Sequence, residues 1–191
     1  INAFTLGVKS VNPEAQVYVK VTGQWYDPTA EAQAAQALLD MGCDVIAQHC
    51  DSAVPQTTAQ DAGKWGCGYN SDMTEQAPNG HLTAPIWHWG VYYTKAVQQV
   101  IDGTWTATNY FGGLGDGLVD ISPLNTAVAA PGTQEKIDEA RAQIEAGTLK
   151  VFAGPLKDNQ GTEKVAAGSE MSVEDITQHF TWYVEGVVAD A

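Results

Sequence analysis

Apolar and polar residues alternate along the first hundred positions between short β-type runs and longer helix-type stretches. Strands are indicated by β-branched or continuous apolar runs, and helices by apolar residues that recur every three to four positions. The predicted strands are 16–22, 44–48, 64–69 and 81–86. The predicted helices are 1–11, 27–42, 52–63 and 89–101. This alternation predicts the α/β class, with a parallel sheet flanked by helices.

The pattern changes after about residue 104, where four glycines fall between Gly112 and Gly117. A strand is predicted at 118–121 and a charged helix from Gly132 onward. A capping box, Ser172 with Asp175, predicts a final helix reaching Val187. Because this part has little strand material, we expect two regions. Residues 1–120 would form a ligand-binding α/β lobe, and residues 121–191 would form a crossover and helices that complete another lobe.

Charge and cysteine content narrow the range of functions. The 191 residues carry a formal net charge of -14, which disfavours binding to nucleic acid or to anionic lipid. A neutral or cationic small ligand is compatible with that charge. The spacing of the three cysteines, Cys43, Cys50 and Cys67, fits no zinc or redox motif. We expect ordinary thiols, with a Cys50–Cys67 bridge as the less favoured alternative.

The candidate site lies where the four predicted strands end. Ligands of open parallel sheets bind beyond the carboxyl ends of the strands. Aromatic rings that can stack on a flat heterocycle, and polar groups that can read its edge, occupy these turns. The candidate ligand-binding residues are Trp25, Asp51, Ser52, Asn70 and Trp87. Each of them alone could have an ordinary structural role, as a tryptophan at a surface rim or as a helix cap. The occurrence of such residues at every strand exit favours a common pocket.

Other motifs are weaker. The glycine cluster 112–117 precedes a strand and not a helix, so it favours a hinge or crossover over a dinucleotide site. His49, His81 and His88 lack metal-ligand spacing, and no serine lies in a nucleophile elbow. The sequence therefore predicts a binding protein with no catalytic residues, no metal and no cofactor.

Several segments resemble one known family over nearly the whole chain. They are INAFTLG, VNPEAQV, QWYDP, LLDMGCDVIAQHCDS, GYNSDM, HLTAPIWHWGVYY, QQVIDGTW and FTWYVEG. These segments are similar to the BMP family, the basic-membrane-protein or PnrA-like lipoproteins that bind substrates for ABC transporters. The resemblance implies a type I periplasmic-binding fold, with two α/β lobes around a cleft that holds a purine nucleoside or base.

The resemblance also assigns roles at individual positions. Trp25 takes the place of the aromatic residue that stacks on the base, and Asp51 with Ser52 takes the place of the contact after the second strand. Asn70 stands where the family has an aspartate for ribose hydroxyls, and Trp87 stands where nucleoside binders have a lysine. These two departures remove charged ribose partners. A free base such as adenine is therefore favoured over a nucleoside.

The same resemblance implies further parts and partners. A family member carries an N-terminal lobe and a first strand ahead of the segment that matches Ile1, so we expect the chain to lack that lobe. The expected partners are a purine ligand, the missing lobe and an ABC transporter permease. The expected location is extracytoplasmic, either periplasmic or lipid-anchored to the membrane through an N-terminal segment outside this chain.

Two alternatives stay open at this stage. A nucleoside-processing hydrolase on a similar α/β fold would use Asp51 or Asp72, although no aspartate cluster or activated nucleophile is recognisable. A ligand-sensing domain of a regulator would share the fold, although no DNA-binding element is recognisable.

Overall fold

A computed structural model describes residues 1–189 of the chain. These residues form two compact units, one made of Thr22–Glu145 and one made of Ile1–Val21 together with the described residues from Ala146 onward. The limits of these units differ from the predicted boundary at residue 120. The assignment of 1–120 and 121–191 to two lobes of a larger protein therefore stays a prediction.

The elements follow one another in a β-α order over the middle of the chain. In chain order they are α1 (Asn2–Val11), β1 (Val17–Val19), α2 (Pro28–Asp40), β2 (Val45–Ala47), α3 (Val54–Asp61), β3 (Trp65–Cys67), β4 (His81–Thr83), β5 (Pro85–Trp87), α4 (Gly90–Ile101), β6 (Val119–Ile121), α5 (Thr133–Glu145), β7 (Leu156–Lys157), β8 (Glu163–Val165) and β9 (Val187–Ala189). All the helices predicted up to residue 145 are present.

The larger unit is built on a parallel sheet in the order β2-β3-β4. Helices α2 and α3 pack on it, and their contact with the sheet buries Ala35, Ile46 and Ala59 to 3% exposure or less. Alanines at two of these three positions allow the helices to approach closely. The predicted α/β class, with parallel strands flanked by helices, is confirmed.

The start of α2 follows directly from its sequence. Asp27 accepts a hydrogen bond from the backbone N–H of Ala30 (3.0 Å), and Pro28 occupies the first helical position, where no N–H is needed. The buried Glu31 carboxylate accepts a second bond from the N–H of Asp27 (2.9 Å). Together these bonds fix the turn that carries Trp25 and Tyr26 into the helix.

The strand predicted at 81–86 is two strands in different sheets. β4 pairs with β3, whereas β5 pairs antiparallel with β6. Between them, Ser122 takes up both backbone groups of Ala84: its N–H donates to the Ala84 carbonyl (2.8 Å) and its Oγ accepts from the Ala84 N–H (3.0 Å). Pro85, which has no N–H, then begins the new pairing.

The smaller unit contains α1 and two two-stranded sheets. β1 pairs in parallel with β9, and β7 pairs antiparallel with β8. Both strands of the first pair are rich in valine, and Val187 of β9 is buried to 4% exposure. All four strands predicted up to residue 86 were expected in one parallel sheet. This is wrong for the first of them, because β1 pairs with β9 and not with β2, β3 or β4.

The predicted final helix is also wrong. Its capping box forms, since the Ser172 hydroxyl donates to Asp175 (2.6 Å) and accepts from the Asp175 N–H (3.0 Å). Only one wide helical turn follows, over Asp175–His179. Gly186 then adopts a left-handed conformation (φ 100°), and the valines after it join β1. The apolar residues of the predicted stripe therefore have separate partners: Phe180 packs edge-on against Phe152, Val184 bridges to Asp158, and Val187 pairs with β1.

Candidate functional site

Four aromatic rings form a continuous row in the larger unit, at the turns that leave the strands. The ring centroids of Trp25 and Tyr69 are 6.1 Å apart with an interplanar angle of 25°. Tyr69 then meets Trp87 edge-on at 5.2 Å, and Trp87 lies nearly parallel to Trp89 at 6.5 Å. Trp25 keeps 59% of its surface exposed and Trp89 keeps 49%. The row therefore offers flat apolar faces that a planar ligand can stack on.

The turn that carries Trp25 is joined to the turn after β2. The backbone N–H of Asp51 donates to the carbonyl of Trp25 (2.8 Å), and the ring of His49 lies 5.5 Å from the Trp25 ring. His49 also lies 4.2 Å from the ring of Tyr69. Two of the predicted site residues, Trp25 and Asp51, are thus brought together, and the exposed Asp51 is near enough for its charge to act on the His49 and Tyr69 rings.

The Ser52 hydroxyl makes its hydrogen bonds within the protein. Its hydroxyl donates to the buried Glu31 carboxylate and accepts from the backbone N–H of Val54 (3.2 Å). With 8% exposure and its single proton used, Ser52 links α2 to the start of α3. Its predicted role as a ligand contact stays a prediction, and the structure gives the residue a structural task.

Asn70 lies in the turn after β3 and is bonded to β5, the strand that carries Trp87. Asn70 directly follows Tyr69, has a left-handed backbone (φ 68°) and is exposed. Asparagine tolerates this conformation better than most residues do. Its N–H donates to the carbonyl of Pro85 (2.9 Å), and Asn70 forms an isolated parallel bridge with Ile86, next to Trp87. The turn after β3 is therefore held against β5.

The electrostatic environment of the row is set by burial and by Asp51. Burial raises the pKa of the Tyr69 phenol, and the charge of Asp51 raises it further. Burial lowers the pKa of the His49 imidazole, while Asp51 acts in the opposite direction. His49 is therefore predominantly neutral at pH 7 and contributes a ring and a hydrogen-bonding nitrogen rather than a charge.

The cysteines nearest the site are free thiols, as predicted. Burial raises the pKa of Cys50 to about 12, with the neighbouring Glu31 carboxylate adding to the effect. Burial also raises the pKa of Cys67 to about 11. Neither side chain is a thiolate nucleophile near neutral pH.

Sequence reasoning missed two members of the aromatic row, Tyr69 and Trp89, and the neighbouring ring of His49. His49 and Trp89 lie within the strand exits that were expected to form the pocket. Tyr69 was assigned to the end of the strand rather than to the site, although it directly precedes Asn70. An aromatic residue at the last position of a strand run is the signal that could have found it.

Residues 1–189 contain neither a candidate metal site nor a helix that could span a membrane. No group of three or more His, Cys, Asp or Glu side chains in that range is placed to hold a metal ion. No helix in the same range has both the length and the apolar character needed to span a bilayer.

Comparison with known sequences identifies the family. The profile described as ABC transporter substrate-binding protein PnrA-like, of the Bmp family, matches residues 1–150. The chain belongs to the Bmp family. Its members and the structural neighbours reported below are solute-binding proteins and not enzymes. The hydrolase alternative therefore has no support among them.

Two curated relatives of this Bmp-family chain are similar over nearly its full length. A purine-binding protein of Brucella abortus is 40% identical over 188 residues, covering 98% of the chain and 53% of that protein. A protein of Haloferax volcanii, provisionally named as an ABC transporter glucose-binding protein, is 34% identical over 187 residues, covering 98% of the chain and 45% of that protein. The chain thus spans about half the length of these relatives.

A solved structure shares the fold. The ABC transporter solute-binding protein of Conexibacter woesei superposes with a TM-score of 0.61 and 21% sequence identity, covering 78% of the chain and 52% of that structure. This likeness supports the periplasmic-binding-protein type of α/β fold that the resemblance implied.

Proposed function

We propose that this Bmp-family chain is the part of an extracytoplasmic solute-binding protein that holds a purine, with a free base such as adenine preferred over a nucleoside. The observation that carries the proposal is the row of rings from Trp25 to Trp89, with the Asp51 carboxylate beside it. Rings capture the flat face of the ligand, and polar side chains read its edge.

Stacking supplies enough free energy for useful binding. Each contact between a base and an aromatic side chain contributes about 1–3 kcal/mol. Binding with micromolar affinity corresponds to about -8 kcal/mol. Two stacking contacts therefore account for a substantial share of such an affinity, and hydrogen bonds to Asp51 and Asn70 supply direction rather than most of the strength.

The chemistry of the site favours a base over a nucleoside or nucleotide. The exposed carboxylate of Asp51 accepts a hydrogen bond from an exocyclic amine such as that of adenine. Asn70 and Trp87 occupy the two positions where charged partners of a ribose would be expected from the resemblance. A phosphate group would meet a chain with a formal net charge of -14.

The proposal includes a cellular setting. The ligand would be enclosed between this chain and a second, N-terminal lobe, and the loaded protein would deliver it to an ABC transporter permease. The protein would work outside the cytoplasm, in the periplasm or lipid-anchored to the membrane. The relatives' length, about twice that of this chain, is consistent with two lobes.

Isothermal titration of a two-lobe protein that carries this chain tests the proposal. We expect adenine to bind more tightly than adenosine, and glucose to bind weakly or not at all. The Trp25→Ala substitution should weaken adenine binding at least about tenfold, because one stacking contact is lost.

Trp65→Ala is the matched control. Trp65 is 40% exposed but begins β3, at the end of the strand away from Tyr69. It should leave adenine affinity unchanged. The proposal fails if no purine base or nucleoside produces heat, or if glucose binds better than adenine. The second outcome would favour a sugar site, in line with the name of the Haloferax relative.

A further inference from the structure

A buried side-chain amide lies directly beneath the turns that carry the aromatic row. Gln56 of α3 has 0% exposure. Its Nε2 donates to Gln48 Oε1 (2.9 Å) and to the carbonyl of Cys67 (3.0 Å), and its Oε1 lies 3.1 Å from His81 Nδ1. A Cβ on Gly66 would come within 2.2 Å of Gln56 Oε1, so only glycine leaves room for this amide. The backbone is therefore shaped around Gln56.

The second amide of this network, Gln48, controls the turn after β2. Its Nε2 donates to the carbonyl of Cys50 (2.8 Å) and to the carbonyl of Ser52 (2.7 Å). These two carbonyls flank Asp51. Because both are bound from below by one side chain, the backbone on either side of the Asp51 carboxylate is fixed.

The network also reaches the carboxyl end of β3, because Gln56 binds the carbonyl of Cys67 there. His81 is fully buried; its Nδ1 faces Gln56, whereas its Nε2 makes no hydrogen bond within the described residues and lies 3.6 Å from Asp72 Oδ1. Within the larger unit, the hydrogen-bonded set of Gln48, Gln56 and His81 thus touches the turn that carries Asp51 and the end of the strand that leads to Asn70.

We infer that Gln48 and Gln56 are positioning residues for the ligand site. They touch the backbone behind the site rather than the ligand, and they set the spacing between the turn after β2 and the turn after β3. The ring contacts of His49 with Trp25 and Tyr69 depend on that spacing. This inference rests on the proposed function for its ligand, but its structural half can be tested without one.

The test uses Gln48→Met, which keeps the length of the side chain and removes its hydrogen bonds. In the two-lobe protein we expect adenine affinity to fall at least about tenfold, because sites loosened by an ångström lose binding strongly. We also expect the ligand-free near-ultraviolet circular dichroism of the stacked Trp and Tyr rings to weaken.

Two control variants separate positioning from general destabilisation. Ile46→Val removes one buried methyl group from the same sheet and leaves every hydrogen bond intact. Gln36→Met makes the same chemical change on α2, where Gln36 is exposed and bonds only to Asp40 within the described structure. Both controls should keep the wild-type adenine affinity and dichroism, even where Ile46→Val lowers the melting temperature.

The outcomes are distinguishable. If Gln48→Met keeps both the affinity and the dichroism of the wild type, the inference is overturned. The inference is also overturned if Ile46→Val, when it lowers stability as much as Gln48→Met does, reduces the affinity and the dichroism to the same extent. If the wild-type protein binds no purine, the proposed function fails and the dichroism alone tests the positioning role. A signal that weakens in Gln48→Met but not in the two controls supports positioning. An unchanged signal in Gln48→Met refutes it.

Discussion

Helices α2 and α4 have almost the same length and lie in the same unit, but they are buried to very different extents. α2 is rich in Ala and Gln, and two of its residues, Glu31 and Ala35, are buried. α4 carries Val, Tyr and Ile, but none of its residues is buried. Val97, Val100 and Ile101 of α4 remain 59–72% exposed. The more apolar helix is therefore the less buried one.

The contrast shows that burial depends on neighbouring elements as much as on a helix's own apolar residues. α2 packs on α3, and the core between them and the sheet is completed by Ile46 of β2 and Ala59 of α3. An amphipathic pattern specifies which face of a helix can be covered, but not which element covers it. The two regions should consequently respond differently to the same kind of substitution.

The largest expected difference is in free energy of unfolding. Ile46→Ala should lower it by about 3 kcal/mol, because the side chain is 3% exposed and its removal leaves a cavity in the core. Val100→Ala on α4 should change it by less than about 0.5 kcal/mol, as at other exposed positions. Urea denaturation of both variants measures this. Equal effects would remove the distinction between the two regions.

The rate of thiol labelling should differ between the buried region around Cys50 and the exposed face of α4. Cys50 has a pKa of about 12 and is buried, so at pH 8 it should react with iodoacetamide roughly 100-fold more slowly than an exposed thiol introduced by Val97→Cys. Peptide mapping after timed labelling gives both rates from one sample. Rapid labelling of Cys50 would indicate that the region beneath the site opens readily.

The buried carboxylate of Glu31 should contribute more to the free energy of unfolding than an exposed carboxylate does. Glu31→Ala leaves the N–H of Asp27 and the hydroxyl of Ser52 without their partner, and should lower the free energy of unfolding by about 2 kcal/mol. Glu135→Ala, in the first turn of α5, is the control and should cost less than about 0.5 kcal/mol. Thermal denaturation of both variants tests this, and equal costs would contradict the structural role of Glu31.

The smallest expected effect is a pH dependence from His81. Burial lowers its pKa in the folded protein below the usual 6.5, although Asp72 partly offsets this. The unfolded chain therefore binds the proton more readily, so stability is full above pH 6.5 and falls as the pH drops through that value. A single site gives a slope of at most about 1.4 kcal/mol per pH unit.

Denaturation of the wild type and of His81→Gln between pH 7.5 and 5 tests this slope, which should be smaller in the variant. His49→Gln is a useful control, since partial burial also lowers the pKa of that imidazole and its share of the slope can be subtracted. An identical slope in wild type and His81→Gln would show that another group causes it.

Much of the larger unit could be predicted from sequence because its signals are local. Asp27-Pro28 marks the start of α2, and the apolar runs around Ile46 and Gly66 mark β2 and β3. Asp51 and Asn70 could be placed in one region because the exits of the parallel strands β2 and β3 share an edge, whereas Trp25 follows β1 of another sheet and joins them through contacts that the sheet rule does not predict. The structure brings their turns together through the contact of Asp51 with Trp25 and through the ring of Tyr69.

What could not be predicted depends on contacts distant in sequence. Ser122 interrupts the run 81–86 at Ala84, and β1 recruits Val187 from the far end of the chain. The hydrogen bond from Ser52 to Glu31 joins residues 21 positions apart. No local pattern around either residue indicates these pairings, because each is decided by which backbone or side-chain partner the fold brings near.

The central claim is that the aromatic row holds a purine, and native mass spectrometry of the two-lobe protein tests it most directly. After mild purification without added ligand, a bound molecule should be released whose mass and fragmentation are those of a purine base, with adenine expected first. Release of a hexose or of another non-aromatic solute in its place would contradict the account.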